Sequence, residues 1–297
     1  MNLEDPYYLK VFALLSERYP KEHKAKTISF QKQEQHTKAA MANNMASNRK
    51  LANLSQAQVA KSLGVSLSQY KKYESGLDTM RIDVAQRWSM VFSQPVFHLL
   101  QGSEFEQYLP SIKYDKELNY LWCLANSLTD KYFSILLNNL LQFASGQHAN
   151  VASFSNSGIT QEKMTQVRQE SQDNIYVAIA YGLRAMRDYF SWSQEYTAAV
   201  IGVSLSTYQD YEKPEPFPRF SVLVSARFTV ATQIDPLIIL GATHYSEVRK
   251  MQNARLELVR SILDDIDPIL LLQIRPLIDG FSKSVTRIPE ARLTILK

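Results

Sequence analysis

The sequence is poor in cysteine: Cys123 is the single one among 297 residues. One cysteine cannot form a disulfide within the chain, which is typical of proteins that fold in a reducing cytosol. The five histidines are scattered, without a zinc-binding spacing and without a pattern that would pair one of them with Cys123 as its base. We therefore interpret Cys123 as a core residue of an apolar helix and predict no metal site.

Long apolar runs are also missing. The longest, such as residues 268–272, are far shorter than the roughly 20 residues that a helix needs to cross a bilayer. At the N-terminus, Glu4 and Asp5 precede the apolar stretch and no small-residue cleavage site follows it, unlike in a signal peptide. These absences predict a cytoplasmic protein that does not associate with a membrane.

Motifs of the common enzyme classes are missing as well. The sequence has neither a glycine-rich phosphate-binding loop nor a nucleophile motif. We interpret the acidic residues Asp264, Asp265 and Asp267 as residues that cap or break a helix before Pro268, not as metal ligands. We expect no enzymatic activity and no cofactor. Because alternating β-branched runs with hairpin turns are absent, the predicted fold class is all-α.

The length and the composition predict more than one domain. A net charge of +4 is compatible with a nucleic-acid partner but does not by itself indicate one. Residues 144–172 are rich in serine, asparagine, glycine and glutamine, which predicts a flexible linker. We therefore predict an N-terminal helix with a basic arm or linker over 1–38, a first domain over 39–143, and a second domain over 173–297.

An internal repeat is the most informative feature of the sequence. GVSLSQYKKYE begins at Gly64 and GVSLSTYQDYE begins at Gly202, so the two segments are offset by 138 residues and share eight of eleven positions. The same offset pairs Arg49 with Arg187 without a gap. A period as long as a whole domain indicates a duplicated domain rather than a solenoid.

Each copy of the repeat has the pattern of two short helices joined by a tight turn. In the first copy, Ser55 and Ser66 are placed to cap successive helices, and Gly64 stands where the chain needs a left-handed residue. On the second helix, Tyr70 and Tyr73 are three residues apart and face the core. The residues left on its outer side are Leu67, Ser68, Lys71, Lys72 and Ser75. Small polar and cationic groups on such a helix suit the major groove of DNA.

The segment from Arg49 to Gly76 resembles the phage-repressor family of DNA-binding domains, also called the Cro/CI or Xre family. The resemblance lies in the pattern R-x4-LSQ-x3-A-x2-LGVS-x3-Y-x2-YESG, and a five-helix domain of this family would end at the LLQG of Leu99–Gly102. The resemblance implies two phage-repressor-type helix-turn-helix domains, each followed by a helical extension, in a regulator from a bacterium, a phage or a mobile element.

The resemblance also implies roles for residues of the first copy. The positions that it places at DNA are Gln56, Ser66, Leu67, Ser68, Gln69, Lys71, Lys72 and Ser75. Among them, Leu67, Ser68 and Lys72 match positions that touch base edges. Arg49 and Glu74 match a structural ion pair. Family members often carry a polar side chain where Leu67 stands, so Leu67 either contacts a thymine methyl group or packs against a neighbouring helix.

The second copy is less suited to bind phosphates. Gln209 and Asp210 replace Lys71 and Lys72, and a carboxylate near phosphates is repulsive. The positions that the resemblance places at DNA here are Gln194, Ser204, Ser206, Thr207 and Gln209, and those of the ion pair are Arg187 and Glu212. The copy either contacts DNA or is a degenerate domain kept for folding or dimerisation.

These features predict a sequence-specific transcriptional regulator, such as a repressor, whose partner is double-stranded DNA. Two arrangements are open: two half-sites about 34 Å apart are covered by one chain, or the chain forms a homodimer in which each first copy takes one half-site. The basic segment 21–38 is either an arm along DNA or a solvated linker. The alternative function is a protein-interaction module, namely an adaptor, antitoxin or inhibitor with a protein partner.

Overall fold

The computed structural model describes residues 5–26, 28, 30, 34–106, 119–146, 158–173, 175–215 and 220–285. Within these ranges all regular elements are helices, and one isolated antiparallel bridge joins Arg81 and Ser221. The predicted all-α fold class is therefore confirmed. Cys123 lies in a helix, but its side chain falls outside the described part of the chain.

The helices are named in chain order. Up to residue 146 they are α1 (Pro6–Arg18), α2 (Glu34–Leu51), α3 (Gln56–Leu63), α4 (Leu67–Glu74), α5 (Ile82–Phe92), the 3-10 helix Val96–Leu100, α6 (Asn119–Ser127) and α7 (Asp130–Leu141). From residue 158 they are α8 (Gln161–Asp173), α9 (Ile175–Phe190), α10 (Gln194–Ile201), α11 (Leu205–Tyr211), α12 (Val222–Thr232), α13 (Pro236–Ile239), α14 (His244–Leu263) and α15 (Pro268–Val285).

Contacts divide the chain into two compact units. The first consists of Met1–Ser89, Pro95–Ile112 and Val167–Glu247. The second consists of Met90–Gln94, Lys113–Gln166 and Val248–Lys297. Each unit takes segments from both sequence repeats, and the sequential domains 39–143 and 173–297 stay a prediction.

Part of the segment predicted as a flexible linker is helical. Helix α8 buries Met164, Val167, Glu170 and Ser171, which lie on one side of the helix. Only two of these four side chains are apolar, so the amphipathic pattern in the sequence is weak. Residues 147–157 lie outside the described ranges.

In the first unit, the N-terminal segment packs against the second repeat. Helix α1 lies on α9 and buries Tyr8, Val11 and Leu15. Further on, the backbone N–H of Lys26 donates a hydrogen bond to the carbonyl oxygen of Ala231 at 2.7 Å. The backbone is therefore held against the second repeat at Lys26, while the Lys26 side chain is exposed.

The second unit has its own apolar core, built by α6, α7, α14 and α15. Its fully buried residues include Leu121, Leu128, Phe133, Val259 and Ile262.

Arg255 of α14 joins three parts of this second unit. It donates hydrogen bonds to the carbonyl oxygens of Ala125 and Leu128, at 2.9 and 2.6 Å, and to Asp130 at 2.7 Å. Its guanidinium also lies 4.6 Å from the ring centre of Phe133. The side chain is fully buried, and it satisfies carbonyl groups that the end of α6 would otherwise leave without a donor.

We expect Arg255→Met to lower the free energy of unfolding by about 3 kcal/mol, because a carboxylate and two carbonyl groups lose their buried donor. Urea denaturation followed by circular dichroism measures the change. Arg260→Met is the control: this side chain lies on the same helix, is 39% exposed, and has its acidic partner Asp264 at 3.6 Å. Its loss should stay below about 0.5 kcal/mol. Equal losses for the two variants would contradict the assigned role of Arg255.

Candidate nucleic-acid interface

Helices α3 and α4 form a compact pair because each boundary has its own signal. Ser55 accepts a hydrogen bond from the N–H of Gln58 at 3.2 Å, and the Gln58 side chain accepts one from the N–H of Ser55 at 2.8 Å, which is a capping box. Gly64 ends α3 with a φ of +65°, a left-handed conformation that glycine adopts without strain. Ser66 then caps α4 through the N–H of Gln69 at 3.1 Å.

The carboxylate of Glu74 fixes the end of α4 to two other helices. Arg49 of α2 donates its Nε–H to Glu74 Oε1 at 2.7 Å, and the Gln56 amide at the start of α3 donates to the other carboxylate oxygen. Both charged side chains are largely buried, with 5% of Glu74 and 16% of Arg49 exposed. The Arg49–Glu74 pair therefore sets how α4 is oriented on the domain.

One side of α4 is open to solvent. Its exposed residues are Leu67, Ser68, Lys71 and Lys72, and Ser66 and Ser75 at its two ends are exposed too. Tyr70 and Tyr73 face inward and are buried, as their spacing predicts. Leu67 is 40% exposed, so its side chain is available to a ligand.

Two of the sequence-predicted contact residues are less accessible. Gln56 is half-buried and its amide group is held by Glu74. Gln69 is also half-buried, and it donates its Nε2–H to Asp78 Oδ2 at 2.7 Å. In the free protein the amide donors of both glutamines are therefore directed to carboxylates, a detail that side-chain periodicity does not predict.

Sequence reasoning missed a group of polar residues beside α4. Asp78, Arg81 and Ser221 line a cavity of about 630 Å³ together with Ser66 and Gln69. The side chain of Arg81 is half exposed. No local sequence pattern marks this group, because Ser221 comes from the second repeat.

Arg81 is fixed by a buried carboxylate. Its Nε and Nη2 donate to Asp83 at 3.1 and 2.8 Å, and the Tyr176 hydroxyl donates to the same carboxylate at 2.6 Å. Burial alone would raise the pKa of Asp83, but these hydrogen bonds and the charges of Arg81 and Arg87 hold that pKa below its usual value. Asp83 therefore stays ionised and keeps Arg81 in place.

Helices α10 and α11 repeat the same local geometry. Ser193 and Ser204 cap them through the N–H groups of Tyr196 and Thr207, each at 3.1 Å. Gly202 ends α10 with a φ of +69°. The chain therefore forms a second pair of helices with the caps and the turn of the first.

The interior contacts of this second pair are repeated as well. Arg187 donates to Glu212 at 2.7 and 3.2 Å, and Gln194 donates to the same carboxylate at 2.7 Å. Tyr208 and Tyr211 are buried at the positions of Tyr70 and Tyr73.

The exposed side of α11 differs in charge from that of α4. Ser204, Ser206 and Gln209 are exposed, and the Ser204 hydroxyl lies 3.1 Å from that of Ser206 and 2.7 Å from that of Thr207. Asp210 is exposed and pairs with Lys213 at 2.8 Å. The surface therefore offers hydroxyl, amide and carboxylate groups where α4 offers two ammonium groups.

Comparison with known protein families finds a match for the first copy of the repeat. Residues 45–95 match a family model described as helix-turn-helix, and this range contains α3 and α4. The predicted phage-repressor type is supported for this segment, and that family consists of DNA-binding regulators rather than enzymes. Comparisons with curated proteins and with solved structures find no match.

No helix among the described residues combines the length and the apolar character that crossing a bilayer requires. They also contain no group of three or more histidine, cysteine or acidic side chains arranged to hold a metal ion.

We expect Glu74→Ala to lower the free energy of unfolding by about 3 kcal/mol, because Arg49 would be left largely buried without its partner. The matched control is Asp210→Ala, which removes a carboxylate from the exposed pair with Lys213 and should cost at most about 1 kcal/mol. Thermal and urea denaturation measure both. A smaller loss for Glu74→Ala than for Asp210→Ala would show that the buried pair does not hold α4.

Proposed function

We propose that the protein is a sequence-specific DNA-binding transcriptional regulator that reads the major groove of double-stranded DNA with α4. The observation that carries the proposal is the open side of α4, on which Lys71, Lys72 and Ser68 are exposed on a helix whose opposite side is locked into the core. A helix fits the major groove, and side chains near its N-terminus reach the base edges there.

The exposed groups suit different parts of the duplex. Lys71 and Lys72 are positioned to neutralise phosphates, which supplies most of the affinity of such proteins through counterion release. Ser68 can donate to or accept from a base edge, and the exposed Leu67 can contact a thymine methyl group.

The primary contacts are assigned by the accessibility of each side chain. They are Ser66, Leu67, Ser68, Lys71, Lys72 and Ser75. The amide groups of Gln56 and Gln69 donate hydrogen bonds to Glu74 and Asp78 in the free protein. These glutamines contribute to binding only when DNA phosphates replace the two carboxylates as hydrogen-bond acceptors.

The alternative function, a protein-interaction module, is favoured by one observation in the second copy. On α11, Asp210 is 61% exposed and Leu205 is 37% exposed, and an acidic helix with an apolar residue suits a basic protein partner better than a duplex. This candidate predicts complex formation with a protein and no loss of that complex when Lys71 and Lys72 are changed.

The test begins with selection of bound duplexes from a random pool by the full chain. On the selected site we expect Lys71→Glu with Lys72→Glu to lower affinity at least about 100-fold and to reduce the magnitude of the negative slope of log affinity against log salt by about 2. Fluorescence anisotropy at several salt concentrations measures both quantities. Unchanged binding by this double variant would show that α4 does not enter the groove.

The control changes the same amount of charge elsewhere. Lys131→Glu with Lys250→Glu reverses two exposed lysines of the second unit, and we expect the salt slope to stay near that of the unaltered protein. An equal loss of affinity and of salt dependence in this control variant would show that the effect comes from net charge and not from α4.

A further inference from the structure

Two segments of the first unit, one after each helix pair, are joined directly by their backbones. The N–H of Ile82 donates to the carbonyl oxygen of Phe220 at 2.9 Å, and the N–H of Val222 donates to that of Met80 at 3.0 Å. These two hydrogen bonds flank the antiparallel bridge between Arg81 and Ser221. The bridge lies just before α5 in one repeat and just before α12 in the other.

The bridging residues are equivalent in the two repeats. Helices α5 and α12 have the same length, 11 residues, and begin at Ile82 and Val222, an offset of 140. Each is followed by a residue with positive φ, Ser93 at 52° and Gln233 at 57°. Ile82 thus corresponds to Val222, and by the same offset Met80 corresponds to Phe220. Reciprocal contacts between equivalent residues are the mark of a two-fold axis.

Other contacts in the first unit hold the two repeats together. The Tyr176 hydroxyl of the second repeat donates to Asp83 of the first at 2.6 Å. Arg227 of the second repeat donates to Glu34 at the start of α2 at 3.3 Å, and its guanidinium lies 5.4 Å from the ring centre of Phe30 in the segment that precedes α2. The bridge is therefore part of a packed interface and not an isolated contact.

The axis runs close to the start of the first recognition helix. Ser66 and Gln69 of α4 line the same cavity as Arg81 and Ser221, the two residues of the bridge. A two-fold rotation that relates the two whole copies preserves height along its axis and would place α11 at the height of α4 on the other side. Two helices placed in this way can enter successive major grooves on one face of a duplex.

We infer that one chain is a built-in pseudo-dimer and binds, as a monomer, a single duplex site with two unlike half-sites at a fixed spacing. The inference rests on the proposed function. The halves are unlike because Gln209 and Asp210 stand where the first copy has Lys71 and Lys72. The second half-site is read through the exposed hydroxyl and amide groups of Ser204, Ser206 and Gln209.

The first experiment uses the unaltered chain and changes the DNA. From the selected site, duplexes are made that lack the second half-site, or that carry 5 or 10 extra base pairs between the halves. We expect each to bind about 10-fold to 100-fold more weakly, with one chain per duplex by native mass spectrometry. Recovery of affinity with 10 extra base pairs would show flexibly joined copies, and two chains per site would show a homodimer; either result overturns the inference.

The second experiment severs the bridge. Ile82→Pro with Val222→Pro removes both N–H donors, and each residue is the first of its helix, where proline is tolerated. We expect this variant to keep its affinity for the first half-site alone and to lose at least about 10-fold on the full site. Ile82→Val with Val222→Ile keeps both donors and should bind the full site like the unaltered chain. Equal binding of the full site by both variants would show that the bridge does not set the spacing.

The two proposals fail in distinguishable ways. If Lys71→Glu with Lys72→Glu abolishes binding while the spacing between the half-sites has no effect, the proposed function holds and the pseudo-dimer inference fails. If that double variant binds normally, the proposed function fails first. Because the spacing series needs no variant, it decides the inference even if the proline variant does not fold.

Discussion

The buried carboxylate at the end of each short helix pair holds the rest of the site in place. Helix α4 has eight residues, too few to be stable alone in water, so its position depends on tertiary contacts. Glu74 supplies the polar part of these contacts through Arg49 and Gln56, and the buried rings of Tyr70 and Tyr73 supply the apolar part. With the inner side locked in this way, the outer side is left to solvent and to a ligand.

The same clamp occurs twice, whereas the surfaces that it presents differ. Glu212 binds Arg187 and Gln194 as Glu74 binds Arg49 and Gln56. An interior contact of this kind cannot be changed without leaving a buried charge unpaired, but an exposed residue can change at little cost to stability. A duplicated scaffold can therefore keep its geometry while one copy exchanges ammonium groups for an amide and a carboxylate.

The arrangement of the two copies depends on backbone groups. The hydrogen bonds from Ile82 to Phe220 and from Val222 to Met80 use N–H and carbonyl groups that nearly every residue carries. Asp83 supports this region because it remains ionised between Arg81 and Tyr176. The exposed residues of α4 and α11 are thus carried on a frame held by buried carboxylates and by a short bridge.

The sequence by itself determined the local features: the serine caps, the left-handed turn at Gly64, the inward tyrosines and the exposed side of α4 follow from spacing along one chain segment. It also determined the repeat, because identical residues recur at an offset of 138 residues from Arg49 to Glu74. Only the tertiary structure decided that the Gln56 and Gln69 amides are held by carboxylates, that Arg255 joins α6 to α7, and that the two copies meet at Arg81 and Ser221. These contacts join residues distant in sequence or use backbone atoms that all residues share, so no local pattern reveals them.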